Sequence, residues 1–155
     1  MNTRHLIRLV FVLTATCSFH AQAADKVTTF ADLPKDDQLE IRFSSGGCFH
    51  RVAYELTFRR ATETTVSITQ TRGNRVELGQ LTLSMADVDG LDELVRFYRS
   101  VSSGNCTTSD SIIISQRHNG KIVATEKYTD NTCATNNMEG ITAIPALVQR
   151  LRKPE

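Results

Sequence analysis

Apolar and polar positions alternate from Leu39 through Glu40, Ile41 and Arg42 to Phe43, and again from Val52 to Phe58. In the second run Val52, Tyr54, Leu56 and Phe58 share one face, while Glu55, Thr57 and Arg59 share the other. A period of two is that of a half-buried strand. Between the two runs, Ser44-Ser45-Gly46-Gly47-Cys48-Phe49-His50 is rich in turn residues and predicts a loop. Thr64 to Thr71 is rich in β-branched residues and leads into Arg72-Gly73-Asn74-Arg75. Gly-Asn between two such runs predicts a two-residue hairpin turn, since glycine takes a positive φ at little cost. That turn sets Val66 opposite Leu81, Thr64 opposite Leu83 and Ile68 opposite Gly79, which gathers one apolar stripe.

After Ser84 the period lengthens. Leu91, Leu94, Val95, Tyr98 and Val101 follow helical spacing, and Asp87, Asp89, Asp92 and Glu93 crowd the start, where a helix dipole favours negative charge. Gly104 is the expected stop. A second hairpin is predicted from Ile112-Ile113-Ile114 to Ile122–Tyr128, reversing at Asn119-Gly120. Ile141, Ile144, Leu147, Val148 and Leu151 return to helical spacing, and Pro145 fits only the first turn of that helix. The order ββββαββα predicts an α+β fold. Its antiparallel sheet is a four-stranded meander plus a C-terminal hairpin, with two helices packed on one face.

The first residues carry Arg4 and Arg8 and no acid, then a short apolar run from Leu9 to Phe19 and an Ala21-Gln22-Ala23 ending. This is the pattern of a secretory signal peptide, cut after Ala23, and its apolar run is shorter than the ~20 residues a bilayer requires. The chain is expected to be exported, to periplasm or extracellular space. Residues 24–38, polar and without sustained periodicity, predict a mobile leader, and residues 39–155 a single domain. Removing residues 1–23 takes two of the 18 basic side chains and none of the 17 acids, leaving a net charge of −1. No basic stripe stands out, which argues against nucleic acid and anionic membranes as partners. No further apolar stretch is long enough for a membrane span.

Export makes a disulfide the first expectation for Cys48, Cys106 and Cys133. The Asn119-Gly120 reversal carries its alignment out to Cys106 opposite Cys133, so these two are predicted to be bridged. Cys48 is left over. It is open to four readings: a half-buried inert thiol, a disulfide-linked dimer, a reactive thiolate beside His50, or a metal ligand. Cys48 and His50, even with His118, fall short of the four ligands of structural zinc, and neither metal nor cofactor is expected. No nucleophile elbow, zinc-hydrolase helix, phosphate loop or paired-carboxylate motif appears.

A small exported domain of this kind predicts a protein-binding module, inhibitor-like or immunity-like. Its contact residues would be Ser45, Gly46, Gly47, Phe49 and His50 on the 44–50 loop. The alternative is a thiol-dependent enzyme or redox protein that uses Cys48 with His50.

Overall fold

The computed structural model describes residues 26–48, 51–101, 104–133 and 144–152. The signal segment, Phe49, His50 and Ile141 lie outside these residues. The elements are β1 (Asp37–Gly46), β2 (Arg51–Arg60), β3 (Thr64–Gln70), β4 (Val76–Thr82), α1 (Met85–Ser100), β5 (Ser109–His118), β6 (Lys121–Asp130) and α2 (Ile144–Arg152). This is the ββββαββα order expected from the sequence. All strands join one antiparallel sheet in the order β4-β3-β2-β1-β5-β6, so the C-terminal hairpin docks against β1 rather than β4. That makes β1 central. Ile41 stands opposite Leu56 on one side and Ile114 on the other.

The period of two then sorts the sheet into two faces. Leu39, Ile41 and Phe43 on β1, with Tyr54, Leu56 and Phe58 on β2, are buried together with Val66, Ile68, Ile112 and Ile114. The apolar stripe of α1, from Val88 through Leu91, Leu94 and Val95 to Tyr98, and that of α2, Ile144, Leu147 and Val148, complete the same core. The opposite face carries Glu40, Arg42, Glu55, Thr57, Ser67, Ile113 and Lys127, all partly or fully exposed. α1 reaches β6 through an ion pair of Arg99 with Glu126 at 2.9 Å, and α2 lies against β4, where Leu151 packs close to Gly79.

The start of α1 is fixed by a reciprocal cap. The Asp87 backbone N–H donates to Ser84 Oγ at 3.2 Å, while the Ser84 backbone N–H donates to the Asp87 carboxylate at 2.9 Å. The Asp87 carboxylate also accepts from Arg150 at 2.8 Å, joining α2 to the start of α1. The helix ends at Val101, without Gly104. That glycine serves a different purpose. A side chain on it would lie 2.8 Å from the Asn131 carbonyl oxygen, so only glycine allows the chain after β6 to approach this closely.

The first hairpin departs from the expected turn, and the second keeps its turn but slips its register further out. Five residues, 71–75, connect β3 to β4, instead of a two-residue reversal. A bulge next to Gly79 then restores the expected pairs Val66–Leu81 and Ile68–Gly79. At Asn119-Gly120 both residues have positive φ, 49° and 77°, as a tight reversal requires. A bulge between Gln116 and Arg117 then slips the ladder by one, so Gln116 pairs with Ala124 and Val123 is left over. Cys106 and Cys133 are bridged as expected, with Cα atoms 5.7 Å apart. However, they sit past the ends of β5 and β6, in a turn where Cys133 has φ 59° and Cys106 N–H bonds the Asn131 carbonyl.

Where a mobile leader is expected, residues 26–36 instead pack on the core. Val27, Phe30 and Leu33 are buried, and Phe30 sets its ring edge-on to Phe58 at 4.7 Å. Polar groups of three elements satisfy the backbone of this segment. Val27 N–H bonds Glu126, Thr28 N–H bonds Gln116, and Phe30 N–H and Ala31 N–H both bond Asp92. The segment needs no periodicity of its own, because side chains elsewhere take the place of a helix or strand ladder.

Candidate functional site

One end of the sheet is built by the start of β2, the ends of β1 and β3, and the start of β5. Ser45 and Gly46, expected in a loop, are the last residues of β1 and pair with Val52 and Arg51 on one side and Asp110 and Ser109 on the other. Residues 47–50 stand between β1 and β2, and of these Gly47 and the exposed Cys48 are described. The β1 ladder extends to Gly46 because its alternation continues: Phe43 points into the core and Ser44 out of it. A side chain on Gly46 would meet nothing nearer than Arg51 Cγ at 4.0 Å, so packing does not demand glycine there.

Register explains the shape of the open face at this end. Ala53, Ser44 and Ser111 are cross-strand neighbours and form a row of small side chains over β2, β1 and β5. The adjacent row on the same face is Glu55, Arg42 and Ile113, set about 6.6 Å further along the strands. Small beside large leaves a depression of about 370 Å³, walled by Arg42, Glu55 and Ile113 and closed on one side by Arg75. The Arg75 guanidinium donates to the Glu55 carboxylate at 2.9 Å. A second depression of about 390 Å³, which shares the lining residues Ala53 and Tyr54 with the first, lies at the same end of the sheet and is lined by Arg51, Arg72, Gly73 and Arg152. Arg152 leans on the Gln70 side-chain oxygen at 3.3 Å.

Five arginines therefore ring these two hollows against one glutamate. They come from positions 42, 51, 72, 75 and 152, too dispersed to form a basic stripe in the chain, and the sheet gathers them. Arg72 and Arg75 flank the Gly73-Asn74 pair and were visible as a turn. Only strand pairing sets that turn beside Arg51 and Arg42.

The cysteine and histidine candidates separate. His118 pairs with Asp37 at the other end of β1, where its Nδ1 lies 2.6 Å from the Asp37 carboxylate. It is thus removed from Cys48 by the length of the strand. Burial pushes the Asp37 carboxyl up, but bonds from Gln116 and His118, with the His118 charge, outweigh it and hold the group below its ordinary value. Cys48 is exposed, which removes the reading as a half-buried thiol. Among the described residues, no three His, Cys, Asp or Glu side chains group as metal ligands would. No described helix is long and apolar enough to cross a membrane.

Tyr98 lies on the core side near this end. Its hydroxyl is pushed well above the ordinary phenol range by burial first and then by the charges of Asp110 and Asp130, so it stays protonated. A scan against protein-family models finds no match, and neither the curated proteins nor the solved structures contain one similar enough to report.

Proposed function

We propose that this chain is an exported protein-binding module that meets its partner with the β1–β2 end of the sheet. The contact residues are Ser45, Gly46, Gly47, Phe49 and His50 of the hairpin, together with the two hollows beside it. One observation carries the reading. The buried stripes of α1 and α2 join the core cluster of the sheet, and two hollows open at the end of the sheet where Cys48 is exposed. Binding surfaces of this kind place loops and short side chains on a rigid scaffold, and β1, paired with β5 along its whole length and with β2 from Gln38 to Gly46, supplies the rigidity here. An inhibitor-like or immunity-like role, in which the hairpin end covers a site on the partner, follows from the same surface.

Export rests on the basic, apolar and Ala-Gln-Ala pattern of residues 1–23, and the intramolecular disulfide is compatible with it. The test is capture by the immobilised mature protein from an extract of the cells that make it. Gly47→Arg and Phe49→Ala should each abolish the capture while leaving the circular dichroism spectrum unchanged. Capture that survives both substitutions places the interface elsewhere.

The exposure of Cys48 supports a second reading, in which this thiol joins two copies or performs chemistry with His50. Titrating the native thiol and comparing oligomeric state with and without reductant decides it. A monomer with a slowly reacting thiol, and a Cys48→Ser protein that captures normally, leave binding as the function.

A further inference from the structure

We infer that the partner surface received at the hairpin end is an acidic protein segment, whose carboxylates enter the two hollows between Arg42, Arg51 and Arg72. This rests on the binding role proposed above and specifies its chemistry. The starting observation is an imbalance. The 155-residue chain has 18 basic and 17 acidic side chains, yet the two hollows are lined by five arginines and a single glutamate. Only Arg75 of the five holds a carboxylate among the described residues. Of the six other described arginines, three hold a carboxylate. Arg99 pairs with Glu126, Arg117 with Glu40 and Arg150 with Asp87. Like charges gathered on one small surface repel one another. An incoming anion relieves that repulsion.

The chemistry of the site favours carboxylates on a protein over a nucleic acid. Guanidinium groups present a planar fork that suits a carboxylate or a phosphate. A nucleic-acid strand, however, carries a phosphate at every step and would press one against Glu55, which stands in the same wall as Arg42. A protein segment sets its acids on chosen side chains and leaves a neutral one facing Glu55. The hollow also offers neutral surface for such a chain: Ala53, Ser44 and Ser111 on the floor and Ile113 in the wall. The Arg75–Glu55 pair then acts as a fixed rim that orients the incoming acids toward Arg42 and Arg51.

The experiment follows binding of a fluorescein-labelled octaglutamate peptide to the full mature protein by anisotropy at low salt. A single-stranded oligonucleotide of equal charge is titrated in parallel. The peptide should bind more tightly than the oligonucleotide, and Arg42→Glu/Arg51→Glu/Arg72→Glu should weaken it by about tenfold or more, as three lost exposed pairs imply. Arg59→Glu, at the far end of β2, should leave it unchanged. Raising salt toward 1 M, where charges are screened within ~3 Å, should abolish binding. The inference is overturned by tighter binding of the oligonucleotide, or by peptide affinity that the triple substitution does not reduce. A separate result isolates it from the broader reading. Capture of the native partner that is lost in Gly47→Arg but intact in the triple variant keeps the surface and removes its acidic partner.

Discussion

Gly104 and Gly46 show how one residue type carries two meanings at neighbouring places. A methyl at 104 would stand 2.8 Å from both the Asn131 oxygen and the Thr132 Cα, so Gly104→Ala should cost about 1–3 kcal/mol. At 46 the nearest atom is 4.0 Å away, and Gly46→Ala should change stability by less than about 0.5 kcal/mol. Urea unfolding of both variants checks the pair. Equal losses would mean that close approach at 104 is not what holds the disulfide end together. In the sequence these glycines stand in nearly identical strings, Ser-Ser-Gly-Gly-Cys and Ser-Ser-Gly-Asn-Cys. Local composition gives no sign of which one another chain segment will touch. Ile41, by contrast, was legible at once from its alternating neighbours, and with no exposed surface its change to alanine should cost about 2–5 kcal/mol.

At the level of elements, strand and helix positions followed from periodicity, because each buried face repeats along its own segment. What periodicity left out is whatever is held from outside. Residues 26–36 read as a leader because their apolar side chains, Val27, Phe30 and Leu33, suit neither strand nor a long helix, and their backbone partners lie on α1, β5 and β6. The same contacts predict how stability responds to acid. In Asp37, Asp87 and Glu126 burial pushes the carboxyl up, but hydrogen bonds and opposite charges outweigh it, so all three stand below their ordinary values of 3.8, 3.8 and 4.5. A carboxylate held lower in the folded state binds its proton more readily when unfolded. Its contribution is therefore complete above the ordinary value and is lost as pH falls through the folded one. Unfolding free energy should hold steady from pH 7 to 5 and then decline through pH 4 and below. Asp37→Asn should make that decline shallower. An unchanged slope would remove the Asp37–His118–Gln116 cluster from the acid response.

For the molecule as a whole, the fold was more legible than the surface. Hydrophobic patterning decides which face of a strand is buried, but the sheet order β4-β3-β2-β1-β5-β6 decides which exposed residues become neighbours. Arg42, Arg72 and Arg152 are 30 to 110 positions apart in the chain and come to the same end of the sheet only because β1 takes β2 on one side and α2 ends beside β3. The disulfide braces the same end of the sheet. It joins residues 27 positions apart, and reducing it should cost about 3 kcal/mol, mainly by freeing the unfolded chain. A melting comparison with and without reductant measures that loss, and no shift in Tm would mean that the bridge is dispensable. The most direct examination of the binding account is hydrogen–deuterium exchange of the mature protein, free and bound to its captured partner. Protection confined to residues 42–55, 70–75 and 111–113 and the end of α2 at Arg152, with α1 and the start of α2 unchanged, is the predicted footprint. Protection over α1 or the start of α2, with the β1–β2 hairpin exchanging as in the free protein, would contradict it.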